Sequence, residues 1–337
     1  MSTLKEISKK IGISISAISQ VLNNTPNSRI SKKTTKKILK VVRELNYTPH
    51  YVARQLRLKK TDMIGVIVPD ISTPFYSDII KGIENTVTES GYLVNVCNSD
   101  DNLDKERKIL SVLKNRKVDG LIVVPANGKD NKDIYRSLLK EKFSFVFIDR
   151  YIPAIKTDYV VTDNFFGAYE LTKRLIEKGH RIIGYLGEYK RDNVAHDRFS
   201  GYKKAIKENN IPFKNGLVRN PSSAEKGLYK GMKELLLASS TAVFLGSNTY
   251  IFEVVKAIKE SGLRINKDID ITGFDEPYLP LKAIKALKID KLDFSITCAI
   301  QPRYEIGNQA AKILVKKIEG EKKDIKGIFL RPKLITI

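Results

Sequence analysis

Thr3-Leu-Lys-Glu-Ile-Ser-Lys-Lys-Ile-Gly-Ile-Ser-Ile-Ser-Ala-Ile-Ser-Gln-Val-Leu-Asn23 reads as two short helices joined by a tight turn. Thr3 and Glu6 have capping-box spacing, so hydroxyl and carboxylate satisfy the free amides at a helix start. Leu4, Ile7 and Ile11 then share one helical face, and Gly12 ends the helix. Ser14 is an N-cap for a second helix to about Asn23, with Ile15, Ile18 and Val21 or Leu22 at helical spacing. Ser16, Ala17, Ser19 and Gln20 remain for other contacts. Two helices across a glycine turn form a helix-turn-helix. Ser31 caps a third helix to about Leu45, whose Ile38, Val41, Val42 and Leu45 face the first two. Lys32, Lys33, Lys36, Lys37 and Lys40 stay solvated.

Working outward, residues 1–60 hold fourteen of the chain's 60 lysines and arginines against only Glu6 and Glu44, a net +12 of the total +22. A short segment that basic expects a polyanionic partner. With 337 residues the chain exceeds one hydrophobic core, and 42% hydrophobic content supplies the material for more. No apolar run of signal-peptide form opens it and none reaches the roughly 18 residues of a membrane span, so a cytoplasmic, nucleoid-associated protein without membrane contact is expected. Cys97 and Cys298 sit in strand-like stretches and read as small buried hydrophobes. His50, His180 and His196 lack metal spacing, and neither a metal nor another cofactor is expected.

From residue 61 apolar runs of strand length alternate with amphipathic helical stretches. The strand candidates are Ile64–Val68, Tyr92–Cys97, Leu121–Val124, Phe145–Ile148, Ile182–Leu186, Ala242–Leu245 and Ile269–Thr272. Helical patterns such as Ser77–Ser90 and Asn164–Lys178 follow them. Repeated strand–helix units make a doubly wound parallel sheet. The fold class is therefore α/β with an all-α N-terminal headpiece. In such sheets ligands bind beyond the carboxyl ends of the strands.

Leu4-Lys-Glu-Ile-Ser-Lys-Lys-Ile-Gly-Ile-Ser14, Ala17-Ile-Ser-Gln-Val-Leu-Asn23, Ile30-Ser-Lys-Lys-Thr34 and Leu45-Asn-Tyr-Thr-Pro49 resemble the DNA-binding headpiece of the LacI/GalR repressor family. Val52-Ala-Arg-Gln-Leu56 is similar to the family's hinge helix. Ile64-Gly-Val-Ile-Val-Pro-Asp-Ile-Ser-Thr-Pro-Phe-Tyr76, Gly179-His-Arg-Ile-Ile-Gly184, Gly273-Phe-Asp275 and Gln301-Pro302 resemble landmarks of its sensor core. Essentially the whole chain is covered. The resemblance implies a helix-turn-helix domain at 1–48, a hinge at 49–60, and a periplasmic-binding-protein-like core at 61–337. That core would hold two subdomains, 61–161 with 292–323 and 162–291 with 324–337, crossed near Val161, Lys291 and Lys323.

The resemblance also implies a mechanism: a dimer binds double-stranded operator DNA, and a sugar, sugar acid or sugar phosphate in the core cleft alters that binding. Ile15, Ser16 and Gln20 would face base edges in the major groove. Thr3, Ser14, Ala17, Ser19, Asn23, Arg29, Tyr47, His50 and Ala53 would complete the DNA-contacting set. Leu56 would wedge into the minor groove, with Arg54 beside it. For the effector it implies Phe75 as a stacking ring with Tyr76 close by, and polar groups from Asp149, Arg150, Asp163, Arg198, Asn248, Asp275 and Gln301. Two arginines in one pocket would favour an anion, unless one of them pairs with Asp149 or Asp275. Most relatives are repressors released by a sugar; a minority are catabolite regulators using a phosphorylated protein corepressor. A dimer is preferred to a tetramer, since the last residues read as a strand and not as an added oligomerisation helix.

An enzyme is disfavoured, because no phosphate-binding glycine loop, Ser/Cys–His arrangement or metal cluster is present. A solute-binding transport protein would explain the core but needs an export signal in place of the basic headpiece. The family usually shows Thr-Val-Ser-Arg where this chain has Ala17-Ile18-Ser19-Gln20. Arginine favours guanine, whereas glutamine pairs adenine. Gln20→Arg should therefore weaken binding to the natural operator by about 1–3 kcal/mol, read by a DNA-binding titration; equal affinity would refute base reading by this residue.

Overall fold

The computed structural model describes residues 3–22, 30–45, 47, 60–126, 131–221, 225–247, 251–277, 294–321 and 324–337. It divides into two compact units, Met1–Thr61 and Asp62–Ile337. In the first, α1 (Leu4–Ile11), α2 (Ile15–Leu22) and α3 (Lys32–Glu44) enclose a small core of Ile7, Ile11, Ile18, Val21, Ile38, Val41 and Tyr47. The capping box forms in both directions between Thr3 and Glu6. Gly12 caps α1 at φ 68°, a left-handed conformation suited to a residue without Cβ. Ser14 Oγ accepts from the Ala17 amide at 3.3 Å, and Ser31 Oγ accepts from Thr34 at 3.1 Å. Lys37 is not simply solvated, because its ammonium donates to the Ile11 carbonyl and satisfies the end of α1.

The second unit contains two six-stranded sheets. The first runs β1 (Met63–Val68), β2 (Leu93–Asn98), β3 (Gly120–Val123), β4 (Phe145–Ile148), β5 (Tyr159–Thr162) and β11 (Gly327–Leu330), in the order β11-β5-β4-β3-β1-β2 and parallel throughout. The second runs β6 (Ile183–Leu186), β7 (Val218–Arg219), β8 (Ala242–Leu245), β9 (Asp270–Phe274), β10 (Thr297–Ile300) and β12 (Lys333–Thr336), in the order β12-β10-β9-β8-β6-β7. There only β12 is antiparallel. Both faces of each sheet are covered. Ile64, Val66 and Val68 pack under α4 (Pro74–Glu89) and α11 (Arg303–Ile318). Ile67, Leu121 and Val123 face α5 (Leu103–Asn115) and α6 (Lys132–Lys140). In the second sheet, Tyr185 and Phe244 face α7 (Asn164–Glu177) and α8 (Asn193–Glu208), while Val243 and Leu245 face α9 (Glu225–Leu237) and α10 (Ile251–Lys259). Adjacent strand residues point to opposite faces, so doubly covered strands read as unbroken apolar runs. Among the described residues no helix is long and apolar enough to cross a membrane.

The crossings between subdomains differ from two of the expected positions. The first lies between Thr162, ending β5, and Asn164, opening α7. The second lies at Gln301–Pro302 and not near Lys291, because β10 pairs with β9 before α11 packs on the first sheet. The third lies at Arg331–Pro332 and not near Lys323, because Gly327–Leu330 completes the first sheet against β5 before β12 joins β10. Strands β5, β7, β10, β11 and β12 were absent from the sequence-derived set: β7, β11 and β12 are half-exposed sheet edges without a continuous apolar run, and threonine interrupts the runs of β5 and β10. The hinge expected over 49–60 falls outside the described residues apart from Lys60.

Helices α4 and α11 approach through Gly82 and Gly307. A Cβ at Gly82 would strike the Tyr304 carbonyl oxygen, and one at Gly307 the Ile79 carbonyl oxygen. Backbone cannot yield as a flexible side chain would, so Gly82→Ala should lower the unfolding free energy by about 1–3 kcal/mol, visible as a reduced urea midpoint; an unchanged midpoint would contradict this close approach.

Candidate functional site

In the headpiece, burial of Ile18 and Val21 turns the opposite side of α2 outward. Ile15 is 40% exposed, an unusual place for an isoleucine, and Ser16 and Gln20 are exposed beside it. Positions 16 and 20 lie one turn apart on one face. Among the described residues the Gln20 side chain has no hydrogen-bond partner, which leaves its side-chain amide available. Ala17 and Ser19 are half-buried. The Thr3 and Ser14 hydroxyls act as helix caps, and Tyr47 is 8% exposed, packed within the headpiece core. Asn23, Arg29, His50, Ala53, Arg54 and Leu56 lie outside the described residues. Lys32, Lys33, Lys36 and Lys40 are exposed on α3.

The core carries a cavity of about 760 Å³ between the carboxyl ends of its two sheets. That size suits a small organic ligand. The loop after β1 opens α4 with Thr73 and Pro74, where proline fits the first turn. Phe75 then lines the cavity with its ring 4.9 Å from Tyr76 in an edge-to-face arrangement. The Tyr76 hydroxyl donates to Asp149 at 3.1 Å. Asp149 and Arg150 leave β4 and are both buried. Asp149 sits at φ 60°, in the left-handed region that aspartate tolerates. Burial pushes the Asp149 carboxyl above the usual range, against the pull of Arg150. Arg150 donates to Asp101 at 2.9 Å and lies 3.6 Å from Asp149.

Across the cavity, Arg198 on α8 is 7% exposed. Its Nε donates to Asn164 Oδ1 at 2.8 Å, its Nη1 to the Gly246 carbonyl at 2.7 Å, and its guanidinium lies 3.8 Å above the Phe274 ring. All three partners are neutral. Burial pushes its pKa below the usual arginine value, with Asp275 and Asp149 opposing from a distance. Gln301, at the second crossing, accepts from Thr162 Oγ1 at 2.7 Å and donates to Asp275 at 2.6 Å. Asp275 is held in turn by Arg303 at 3.1 Å, and Arg303 reaches Asp78 on α4 at 3.3 Å.

Of the expected effector residues, Phe75, Tyr76, Asp149, Arg150, Arg198, Asp275 and Gln301 line this one cavity. Asp163 does not. Its carboxylate caps α7 by accepting from the Phe166 amide at 2.9 Å, a structural role that a residue just before a helix commonly takes. Asn248 lies outside the described residues. Three cleft residues were missed: Asn164, which orients Arg198, and Arg191 and Arg303, which line the wall. Arg303 follows Gln301-Pro302 at a helix start and Arg191 follows β6 in a loop; only their nearness to strand ends could have flagged them.

Asn164 is 2% exposed, and removing its oxygen would leave a buried guanidinium donor without a partner. Asn164→Ala should reduce core stability by about 1–3 kcal/mol in a denaturant titration, and no loss would mean that Arg198 re-pairs without cost.

Residues 3–50 match the family described as bacterial regulatory proteins, lacI family. Residues 61–331 match the periplasmic binding proteins and sugar binding domain of LacI family. The chain is 31% identical over 337 residues to the HTH-type transcriptional regulator DegA of Bacillus subtilis (strain 168), covering 99% of this chain and 97% of DegA. A LacI family regulator from Enterococcus faecium solved with bound ribose is 27% identical, covers 81% of this chain and 96% of its own, and superposes with a TM-score of 0.66. The lac repressor dimer bound to operator and an anti-inducer shares the fold at a TM-score of 0.80 and 22% identity, over 99% of this chain and 97% of that one.

Proposed function

The chain belongs to the LacI family of bacterial regulatory proteins, and from that premise we propose that it is a repressor whose operator affinity is set by a neutral sugar bound in the core cleft. The observation that carries this reading is the pairing of the cleft's charges. Arg150 has Asp101 and Asp149, Arg303 has Asp275 and Asp78, and Arg191 has Glu188 and Asp192. Arg198 retains only neutral partners, with carboxylates of the same cleft acting on it from farther away. Among described lining residues, Asp149, Glu188, Asp192, Asp275 and Glu276 outnumber Arg150, Arg191, Arg198 and Arg303. An anionic effector would meet this surplus of carboxylate, whereas hydroxyls can donate to Asp149 and Asp275 and accept from Arg198. The Phe75 ring offers a face for the C–H side of a sugar. The exception attached to the sequence preference for an anion applies, since Arg150 pairs with Asp149.

DNA binding falls to the headpiece. Ile15, Ser16 and Gln20 read base edges, and the α3 lysines supply salt-dependent affinity for phosphate. Residues 49–60, with Arg54 and Leu56, complete the contact when two chains pair on one operator. A catalytic role is not part of this reading: the relatives with which the chain aligns are transcriptional regulators. Effector and operator then share one coupling free energy of about 1–3 kcal/mol.

Genomic fragments captured by the purified protein give the operator, and its affinity is then measured with matched neutral and acidic sugars. A neutral sugar should weaken operator binding by roughly 5- to 150-fold and register heat in calorimetry. Tighter binding of the acidic partner, or no operator response to any sugar, would overturn the reading.

A further inference from the structure

The cleft is bridged at its rim by Asp101, which does not itself line the cavity but joins two arginines that do. Asp101 follows β2 in a loop where Asp100 and Asp101 both adopt left-handed backbone, at φ 54° and 53°. Two such residues in succession are uncommon. The loop is secured by the Ser99 and Asp100 amides, which donate to the Val68 and Pro69 carbonyls at 2.8 and 2.9 Å. Asp101 is thereby aimed at two arginines from different subdomains. Its Oδ1 accepts from Arg150 of the first at 2.9 Å, and its Oδ2 lies 3.6 Å from Nη2 of Arg191, in the loop after β6 of the second.

The two ends of this bridge differ in freedom. Arg150 is 6% exposed and fixed beside Asp149, so it holds Asp101 in place. Arg191 is 42% exposed and also contacts Glu188 at 3.0 Å and Asp192 at 3.4 Å within its own subdomain. If the rim parts, Arg191 keeps those two partners and no charge is stranded. A neighbouring contact also crosses the rim: the Tyr151 amide donates to Asn193 Oδ1 at 3.2 Å. The other side-chain atom of Asn193, Nδ2, is buried without a hydrogen-bond partner among the described residues. Parting would return that donor to water, so the rim carries a cost of closure beside its attraction.

We propose that Asp101 is a positioning residue for effector binding: without touching the effector it populates the closed cleft, by holding Arg191 of the opposite subdomain at the rim. The proposal rests on the effector-cleft reading above and makes Asp101 and Arg191 determinants of effector affinity, since a ligand that needs the closed pose binds in proportion to its population. A half-exposed ion pair biases such an equilibrium by about two- to fivefold, and salt screens it.

The test needs no effector. Spin labels are placed at Glu89→Cys on α4 and at Leu237→Cys, 85% exposed on α9, in a full-length Cys97→Ser background; the native Cys298 is fully buried. Electron–electron distance distributions are recorded at low and high NaCl. The parent should gain a longer-distance population at high salt. Asp101→Asn and Arg191→Gln should show about two- to fivefold more of it already at low salt, with little further response. Asp100→Asn is the control, because Asp100 pairs with Lys105 inside the first subdomain. The proposal fails if Asp101→Asn matches the parent at both salts, or if Asp100→Asn shifts equally. It also fails if Arg191→Gln, which leaves the loop after β2 intact, matches the parent. Sugar titration judges the cleft reading separately, so one can fall while the other stands.

Discussion

Strand pairing across long sequence separations is the constraint on which this molecule depends. β11 lies beside β5, although more than 160 residues separate them, and β10 is held between β9 and β12. Each sheet is therefore finished by chain that has already visited the other. The outcome is two parallel sheets whose carboxyl ends meet at one cleft, linked at Thr162–Asn164, Gln301–Pro302 and Arg331–Pro332. The hydrogen bonds from Thr162 to Gln301 and from Gln301 to Asp275 tie two of those links to the cleft floor. Two of the three links between the subdomains are thereby bonded to each other beneath the cleft.

The cleft also illustrates how burial assigns roles to like residues. Arg150 and Arg198 are both almost fully enclosed, yet Arg150 is matched by carboxylates while Arg198 rests on an amide oxygen, a carbonyl and an aromatic face. The first is a structural post. The second keeps its charge uncancelled, because neutral partners satisfy its geometry. Asp275 occupies the middle ground, engaged by Gln301 and Arg303 at the wall of the same cleft.

Much of this was legible in the residues. The capping box at Thr3–Glu6, the Gly12 turn and the apolar spacing of Ile18 and Ile38 gave the headpiece, since each depends on neighbours within one or two turns. The strands at Ile64–Val68, Phe145–Ile148 and Ala242–Leu245 were equally plain, because strands buried on both faces are uninterrupted apolar runs. Seven of the expected effector residues converge on one cavity because strand carboxyl ends converge there. Asp163 is the exception, a carboxylate that caps a helix and does not line the cavity, and that environment is not written in the local sequence.

By itself, then, the sequence determined the local elements, the α/β alternation, the concentration of charge in the first sixty residues and the family to which they belong. Only the tertiary structure decided where the chain passes between subdomains, which arginine of the cleft is neutralised, and that Asn164, Arg191, Arg303 and Asp101 matter at all. The division has a physical cause. Helix caps and apolar periodicity are set by residues a few positions apart, whereas the partner of a buried charge lies tens or hundreds of residues away and exists only once the sheets have closed around it.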